Sequence, residues 1–340
     1  MHIALFGGSF DPIHKGHLQI AKEALKQLPI CAVWFMPSKD TPLKQRKLSS
    51  FYDRCEMIKR AIHPYRHMHL CTIENERNDI SYTIDTILLL KKRYPNITFS
   101  LLIGDDQAKQ FHLWKQAERI KKEVKIYVFS REENMQLAEG LHRIKMPLIS
   151  VSSTQIRQGK QLSMISKSVH RYIGKKGLYL EEMLRNRMNE QRYLHSCSVA
   201  KLCMEIAKAH QLDVHKAYVM GMAHDICKQL PYADAKKMMQ YLYPNKLNEA
   251  PAIWHGYLGT YYIKHILGID DKKISQAIYH HVKGDGCGVY DKILFVADKL
   301  DPRRGYPVKE EIALCKQDLH AGFQLVKQQQ LLFLEKQGVM

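Results

Sequence analysis

The sequence predicts an α/β, doubly wound parallel sheet of the Rossmann-like type, followed by an all-α helical bundle. In residues 1–185, short β-rich runs alternate with helical stretches, which is typical of a parallel sheet with helices on its faces. From about residue 186 the strand pattern ends and the later segments read as helices. A length of 340 residues suits two domains, which we place at 1–185 and 186–340.

Each element follows from its local pattern. The expected strands are HIALFGG, AVWFMP, HLCTIE, TFSLLIG and KIYVFSR, with helices between them at GHLQIAKEALKQL, YDRCEMIKRAI and YTIDTILLLKKRY. The expected bundle helices are RYLHSCSVAKLCMEIAKAH, KAYVMGMAHDICKQL, ADAKKMMQYLY, YLGTYYIKHIL, KKISQAIYHHV and YDKILFVADKL. Because ligands of such sheets bind beyond the carboxyl ends of the strands, the GGSF, IGDD and SREE segments mark the expected site.

Composition limits the possible partners. The formal net charge is +18 at pH 7, which attracts polyanions, but basic residues do not cluster with aromatic ones. We therefore expect nucleotide phosphates, and no nucleic acid, as the anionic partner. The chain has neither an apolar run long enough for a membrane span nor the features of a signal peptide, which predicts a cytoplasmic protein without membrane association. A homo-oligomer is compatible with the sequence.

The segment after the first strand, Gly7 to His17, reads GGSFDPIHKGH. Glycines allow backbone N–H groups to approach phosphate oxygens, and the N-terminus of the following helix adds partial positive charge. His14 and His17 are three positions apart and share one face at the helix entrance. This motif predicts the binding of a triphosphate and the stabilisation of charge when it is cleaved.

A second motif, VSSTQIR, begins at Val151. Its hydroxyl groups are suited to cap a helix, and Arg157 one turn later adds a cation for an anion. The two motifs together resemble those of the nucleotidyltransferase superfamily with an H-x-G-H site. The segments SYTIDT, IGDD, LWK and SRE are similar to the nicotinate-nucleotide adenylyltransferases, and not to phosphopantetheine adenylyltransferase or the cytidylyltransferases.

The resemblance implies adenylyl transfer from ATP, with Mg²⁺, to nicotinate mononucleotide, which gives deamido-NAD and pyrophosphate in NAD biosynthesis. It implies no protein nucleophile, only positioning and charge stabilisation. The residues implied for ATP are Gly7, Gly8, Ser9, Phe10, His14, His17, Gly104, Asp106, Ser153, Thr154 and Arg157. Those implied for the nicotinate ribotide are Tyr82, Thr83, Trp114 and Arg131. Those implied for catalysis are His14, His17, Lys44 and Arg157.

Two observations qualify this assignment. Trp114 is implied as the stacking ring, but an isolated tryptophan belongs more often to a core than to a ligand platform. The family's Pro-Pro-His-Lys loop appears here as TPLK, so that Lys44 is retained and Leu43 replaces the histidine.

The second half contains a buried acidic residue. Asp225 lies in VMGMAHDIC, which is apolar on every side and predicts burial. A buried carboxylate is costly unless it is paired or binds a metal ion, and Lys228, one turn on, would satisfy it without any metal. His195, His281 and Asp298 lie on comparably apolar faces. One such histidine is more often a core residue than a ligand, but together with His255 these positions favour a di-metal site.

The order His, His-Asp, His, His, Asp resembles the HD phosphohydrolase superfamily. HSCSVAKL, MAHDICK, WHGYLG, AIYHHVKG and ILFVADKLDPRR are similar to the bacterial HD family that hydrolyses diadenosine tetraphosphate symmetrically to two ADP. The resemblance implies two metal ions, iron in the family, while the ligand types also suit Mn or Zn. It selects His281 over His280, makes Asp225 the bridging and catalytic carboxylate, and directs Lys228 and Arg304 to phosphate. The implied metal ligands are His195, His224, Asp225, His255, His281 and Asp298.

The sequence therefore predicts a bifunctional enzyme: a nicotinate-nucleotide adenylyltransferase joined to a symmetrical bis(5′-nucleosyl)-tetraphosphatase. Two alternatives remain for the HD half: a non-catalytic regulator that binds nucleotide or metal, or a hydrolase of another nucleotide. A third interpretation, nucleic-acid binding by the basic first half, predicts affinity that falls steeply with salt.

Overall fold

The sheet of the first half contains six parallel strands within the described part of the chain. A computed structural model describes residues 1–39, 47–76, 82–130, 136–147, 149–305 and 307–338. The strands lie in the order β3-β2-β1-β4-β5-β6, so that the chain reverses its direction across the sheet between β1 and β4. Their bounds are β1 His2–Gly8, β2 Ala32–Pro37, β3 Met68–Leu70, β4 Thr98–Gly104, β5 Lys125–Ser130 and β6 Leu141–Lys145.

Both faces of the sheet are buried, as expected of a doubly wound fold. Along β1, Ile3 and Leu5 are buried on one face and Ala4 and Phe6 on the other. The helices of this half are α1 Lys15–Gln27, α2 Phe51–Ile62, α3 Thr83–Arg93, α4 Asp105–Lys109, α5 Ala117–Glu123 and α6 Ser153–Arg157, and the next helix is α7 Lys167–Lys176. The predicted fold class is confirmed. The sequence missed β6, LHRIK, because only Leu141 and Ile144 of this edge strand are buried.

Every secondary-structure element described in the second half is a helix. Its helices are α8 Leu180–Arg185, α9 Glu190–Ala209, α10 Val214–Ala223, α11 Tyr232–Leu242, α12 Trp254–His265, α13 Lys272–His280, α14 Val289–Lys299, α15 Lys309–Gln317 and α16 Leu319–Lys336. Helices α9 and α10 pack closely, since a Cβ added to Gly221 would lie 2.5 Å from the Cα of Ala200. No helix of the described residues is long and apolar enough to cross a membrane.

Two of the predicted helices end earlier than the sequence indicated. Helix α10 ends at Ala223 and α13 at His280, so that His224 and His281 are the C-cap residues. Beyond α10 the backbone tightens, with Ile226 N donating to Ala223 O and Lys228 N to Asp225 O. Asp225 therefore lies in a turn and not inside a helix as predicted.

The chain divides into two compact units, residues 1–170 and 171–340. This division lies ahead of residue 185, where the change of sequence pattern placed the boundary between the domains.

Candidate active sites

The loop between β1 and α1 is held by aromatic packing. Phe10 adopts a φ of 47°, in the left-handed region that is uncommon for a residue with a side chain. Its ring is buried, with its centroid 5.4 Å from that of Phe6 and 5.5 Å from that of Phe35. A Cβ added to Gly8 would approach this ring to 3.0 Å. Phe10 therefore supports the loop, and the absence of a Cβ at Gly8 lets the ring pack closely against it.

The two histidines stand at the entrance of α1. His14 is the N-cap residue, and its backbone N–H donates to Nδ1 of His17 over 3.2 Å. The rings are stacked, with centroids 3.7 Å apart and planes at 19°. His14 is 5% exposed, and His17 is also close to the Phe10 ring, at 5.0 Å between centroids. The predicted shared face of the two imidazoles is present.

The VSSTQIR segment packs against the same loop. Ser153 Oγ donates to Pro12 O over 3.0 Å, and the Arg157 guanidinium donates to Asp11 O over 2.8 Å. A Cβ on Gly16 would lie only 2.7 Å from the Val151 side chain, so glycine is required for this approach. The two motifs that the sequence singled out therefore form one structure.

Within this segment the hydroxyl groups have local partners. Ser152 caps α6 by accepting from the Thr154 N–H, and Thr154 Oγ1 accepts from the Arg157 guanidinium over 3.1 Å. Capping was the alternative interpretation of these hydroxyls, and Ser152 fulfils it. The predicted role of Ser153, Thr154 and Arg157 in binding ATP stays a prediction.

Sequence reasoning missed a buried arginine beneath the loop. Arg54 is 1% exposed and donates to the carbonyl groups of Ser9, Ser38, Ser49 and Lys39 over 2.7 to 3.3 Å. Four carbonyl partners make it a cross-link between the first loop and the segment after β2. Arg54 lies on the buried face of α2, with Met57, Ile58 and Ala61 three, four and seven residues later, and this register could have distinguished it from a surface charge.

Two further residues expected to bind ATP lie at the end of β4, and two expected to bind the nicotinate ribotide lie at the start of α3. Gly104 closes β4, and Asp106 follows it, exposed, in the first turn of α4. Tyr82 is the N-cap residue of α3, with Thr83 as the first helical residue. Tyr82 is exposed, and the Lys115 ammonium lies 4.2 Å from its ring centroid.

Trp114 has a dual environment. It is half-buried, packs against the core of the sheet and lies 5.4 Å from the Phe111 ring, so part of its surface belongs to the core and part stays accessible. Lys44 and Arg131, together with Leu43, lie outside the described residues.

In the second half, imidazole nitrogens surround Asp225. Its Oδ1 lies 3.2 Å from Nε2 of His255 and 3.8 Å from Nε2 of His281. Its Oδ2 lies 3.6 Å from Nε2 of His224 and 4.0 Å from Nε2 of His195. Each carboxylate oxygen thus faces a different pair of histidines.

Asp298 completes the cluster on one side. Its Oδ1 lies 3.2 Å from Nε2 of His195 and 3.9 Å from Nε2 of His224. Two groups in the described part of the chain could hold a metal ion, and they share His224. Their members are His195, His224 and Asp298 in one, and His224, Asp225 and His281 in the other.

His280, the neighbour of His281, lies outside the cluster and pairs with Asp285 over 2.7 Å. The six side chains singled out from the sequence are brought together, and their role as ligands stays a prediction.

The four histidines present the same atom to the centre. Nδ1 of His224, His255 and His281 lies 2.6 to 2.9 Å from the carbonyl oxygen three residues earlier. Nδ1 of His195 lies 2.6 Å from a carboxylate oxygen of Asp301. These acceptors hold a proton on Nδ1 and turn Nε2 of each ring towards the centre.

These Nε2 atoms fit a divalent metal centre. Nε2 of His195, His224 and His281 is buried and has no hydrogen-bond partner among the described residues. Buried polar atoms without a partner are rare and call for an explanation such as an ion. Imidazole nitrogens with carboxylate oxygens suit Mn, Fe or Zn, so the donor set is compatible with the metal ions that the HD resemblance implies.

Three cations contact the carboxylates of the cluster. The Arg192 guanidinium donates to Asp225 Oδ2 over 2.6 Å. Arg304 donates to Asp298 Oδ1 and Lys299 to Asp298 Oδ2, both over 3.0 Å. The sequence identified Arg304 but missed Arg192 and Lys299. The spacing of Arg192, three residues before His195 on α9, placed it on the same helix face and could have revealed it.

Lys228 does not donate to Asp225, as it would if it satisfied this carboxylate without a metal ion. Its ammonium nitrogen lies 3.3 Å from both ring nitrogens of His255 and from Ala252 O. The cation that donates to Asp225 is Arg192 instead. Burial lowers the pKa of Lys228.

Protonation of the cluster follows from burial and proximity. Burial lowers the pKa of His224 and of His255 to about 4. Burial alone would raise the pKa of Asp225 and Asp298, but the surrounding imidazoles and, for Asp298, Lys299 hold both well below the usual range. Burial opposes the charge on His195, but Asp298 and Asp301 raise its pKa to about 9. Ionised carboxylates and neutral imidazoles are the forms that bind metal ions, so binding of a metal ion at His195 displaces a proton near neutral pH.

Comparisons with known proteins match a different family model in each half of the chain. Residues 5–159 match the family model described as cytidylyltransferase-like, and residues 192–303 match the HD domain. Over 161 residues the chain is 42% identical to an Exiguobacterium sibiricum protein named "Probable nicotinate-nucleotide adenylyltransferase", covering 46% of this chain and 85% of that protein. The chain belongs to the nicotinate-nucleotide adenylyltransferase family.

Relatives from two mycoplasmas extend over both halves. A Mycoplasma pneumoniae protein is 28% identical over 337 residues, and a Mycoplasma genitalium protein is 29% identical over the same length. Both are named "Probable nicotinate-nucleotide adenylyltransferase/Ap4A hydrolase". The matches cover 94% of this chain in each case, and 96% and 95% of the respective relatives. This member of the adenylyltransferase family therefore carries an HD domain, as the two sequence resemblances indicated.

Proposed function

We propose that this chain is a bifunctional enzyme. Residues 1–185 transfer an adenylyl group from ATP to nicotinate mononucleotide, and residues 186–340 hydrolyse diadenosine tetraphosphate symmetrically to two ADP. The similarity over both halves to relatives named for this pair of activities supports the proposal. Nucleotides are then the ligands of both sites.

In the adenylyl transfer, a phosphate oxygen of the mononucleotide attacks the α-phosphorus of ATP. The new P–O bond forms as the bond from the α-phosphorus to the bridging oxygen breaks, and pyrophosphate leaves with the electron pair. Mg²⁺ accompanies the phosphates of ATP as their counter-ion. The chain supplies no nucleophile, so its contribution is positioning and stabilisation of the developing charge.

The proposal of adenylyl transfer rests on the hydrogen bonds between the GGSFDPIHKGH and VSSTQIR segments. The N-terminus of α1 and the stacked pair His14 and His17 lie beyond the end of β1, next to β4 where the chain changes direction. Phosphates held there would meet the imidazoles of His14 and His17 and the guanidinium of Arg157, and Lys44 is proposed as a further catalytic residue. Asp106 is proposed to bind the ribose, and Tyr82, Thr83, Trp114 and Arg131 the nicotinate ribotide.

The test is an acceptor comparison with purified full-length chain. Nicotinate mononucleotide, its amide and phosphopantetheine are each supplied with ATP, and pyrophosphate release is measured. We expect the highest kcat/KM for nicotinate mononucleotide. A preference for phosphopantetheine would refute the assignment.

For the hydrolase half, the observation that carries the proposal is the convergence of four Nε2 atoms on Asp225 and Asp298. We propose two metal positions, with Asp225 contributing one oxygen to each. His195, His224 and Asp298 would complete the first position, and His255 and His281 the second. Iron is the proposed metal, with Mn and Zn also compatible with the donors.

Bound there, a metal pair supplies Lewis acidity, lowers the pKa of coordinated water and neutralises phosphate oxygens. In the net reaction, water adds to one of the two central phosphorus atoms of diadenosine tetraphosphate. The P–O bond of the central anhydride breaks and two ADP are released. Lys228 and Arg304 lie beside the cluster and are proposed to bind the phosphate chain, with the guanidinium of Arg192 as a third cation.

The test combines metal analysis with a hydrolysis screen. We expect two metal ions per chain and, among diadenosine tetraphosphate, diadenosine triphosphate, dNTPs and ppGpp, the fastest cleavage of the first, with ADP as the sole product. Two bound ions without hydrolysis of any of them would favour a regulatory HD domain instead. Faster cleavage of another nucleotide would change the substrate but keep the reaction type.

A further inference from the structure

The four inward-facing histidines differ in the group that accepts from Nδ1. For His224, His255 and His281 the acceptor is a neutral backbone carbonyl. For His195 it is the carboxylate of Asp301, with 2.6 Å between Nδ1 and Oδ2. This carboxylate belongs to neither of the two groups of candidate metal ligands, and in the described part of the chain its hydrogen bond to the cluster is the one with His195.

Asp301 is itself held rigidly. It is 2% exposed, and its Oδ1 accepts from Ser198 Oγ over 2.6 Å and from Arg303 N over 3.1 Å. Ser198 lies one turn after His195 on α9, so the two side-chain partners of the carboxylate project from one face of that helix. The carboxylate therefore has a fixed position and offers its other oxygen to the imidazole.

A carboxylate acceptor has a stronger effect on an imidazole than a carbonyl has. It fixes the Nδ1–H tautomer and raises the basicity of Nε2, which strengthens binding of a cation there. The position that includes His195 also draws on Asp298, so it has one more donor side chain than the position of His255 and His281.

We propose that Asp301 is a positioning residue that makes the two metal positions unequal. The position formed by His195, His224, Asp298 and Asp225 takes up the first divalent ion and retains it longest, and the position of His255 and His281 fills second. This inference rests on the proposed two-metal site and deepens it by stating the order of filling and the residue that sets it.

The test is a titration of metal-free, full-length chain with Mn²⁺, in which free Mn²⁺ is measured by its EPR signal. The wild-type chain is expected to bind two ions in two separate steps. Asp301→Asn replaces the charged acceptor by a neutral one of similar shape, and should weaken the first step by about 10- to 100-fold while changing the second by less than about twofold.

The matched control is Asp291→Asn. Asp291 is also a buried carboxylate of the bundle, but it lies in the first turn of α14 and accepts from Gly288 N, whereas Asp301 follows the end of that helix. It should leave both binding steps unchanged. An equal loss of first-step affinity in the control would mean that Asp301→Asn acts through general destabilisation, and would overturn the proposal.

A milder variant keeps the test decisive if Asp301→Asn does not fold. Ser198→Ala leaves the carboxylate in place but removes one of its supports, and should weaken the first step by a few-fold. In metal-free protein labelled with ¹⁵N-histidine, the Nδ1 proton of His195 should give a strongly deshielded, slowly exchanging ¹H signal in the wild type, because it is bonded to the Asp301 carboxylate, and a less deshielded signal in the variant. Unchanged binding and an unchanged Nδ1 proton signal in Ser198→Ala would contradict the inference.

The outcomes also separate this inference from the proposed function. A wild-type chain that binds fewer than two ions would remove the two-metal site and the inference with it. Two ions bound in steps that neither variant alters would overturn the inference and leave the proposed hydrolase intact.

Discussion

The two candidate sites use opposite parts of the polypeptide to hold phosphate chemistry. In the first half, the backbone after β1 and the start of α1 form the loop, and buried side chains such as Phe10 and Arg54 support it from below. In the second half, the backbone only orients the side chains: carbonyl oxygens fix three imidazoles, and the converging atoms are nitrogens and carboxylate oxygens of side chains.

This difference predicts how each site responds to substitution. A site built from side-chain atoms loses its function when one atom is deleted, because no other group occupies the same point. A site built from backbone is sensitive to added atoms and to the packing beneath it, and tolerates the loss of many of its polar side chains. Substitutions in both sites test this contrast.

Removal of the shared carboxylate should have the largest effect. Asp225→Ala takes away the oxygens that face all four histidines, and should reduce hydrolysis of diadenosine tetraphosphate by at least about 100-fold. Adenylyl transfer should change by less than about twofold. Asp270→Ala, which removes an exposed carboxylate of the same half paired with Lys264, is the control and should keep both activities. Equal loss of both activities in Asp225→Ala would show that the two sites do not depend on separate side chains.

Removal of an imidazole from the first site should act on kcat. His17→Ala deletes a donor expected at the phosphates and should lower kcat for adenylyl transfer by about 100-fold, with hydrolysis unchanged. His63→Ala, an exposed imidazole at the end of α2, serves as the control. An effect confined to KM would assign His17 to ground-state binding and not to charge stabilisation.

An added methyl group should disturb the first site where deletion does not. Gly16→Ala places a Cβ 2.7 Å from the Val151 side chain, and overpacking of this kind costs about 1–3 kcal/mol. We expect a lower unfolding temperature and a raised KM for ATP.

The double variant Gly16→Ala, Val151→Ala makes room for the methyl group and should recover most of the loss. No recovery would mean that the glycine serves the backbone conformation or phosphate access, and not the approach of the two segments.

A carboxylate outside the metal cluster should show a small, pH-dependent effect. A hydrogen bond from Tyr257 and the ammonium groups of Lys246 and Lys283 lower the pKa of Glu249 from 4.5 to about 2. Because the folded-state pKa is depressed, its stabilising effect is complete above pH 4.5 and is lost as the pH falls towards 2.

Glu249→Gln should therefore lower the free energy of unfolding at pH 6 by no more than about 1 kcal/mol, and the difference should shrink below pH 4.5. Urea unfolding of both proteins between pH 6 and pH 3 measures it. A difference that stays constant over this range would show that charge is not its cause.

Much of the architecture was predictable because it depends on local pattern. Five of the six strands and the alternation with helices follow from hydrophobic runs and periodicity. Strand β6 does not, since its exposed His142 and Arg143 conceal a strand that pairs along one edge only.

The clustering of the six candidate ligands was also predictable, because each is a polar residue on an apolar face. Their supporting residues were not. Asp301 lies in a short segment after α14, where an acidic residue before proline is typical of a turn, and only the fold shows that it contacts His195. The ends of α10 and α13 were wrong in the prediction because apolar periodicity continues through His224 and His281, while the backbone tightens into turns there.

The hydrogen bond from Arg157 to Asp11 joins positions that are 146 residues apart in the chain. During translation, the loop after β1 therefore lacks this support until nearly half of the protein has been made. The second cluster needs Asp298 and Asp301, which leave the ribosome on the order of ten seconds later at ordinary elongation rates. The sequence order of the supporting residues thus sets a schedule in which the site for adenylyl transfer can assemble while the hydrolase is still being synthesised.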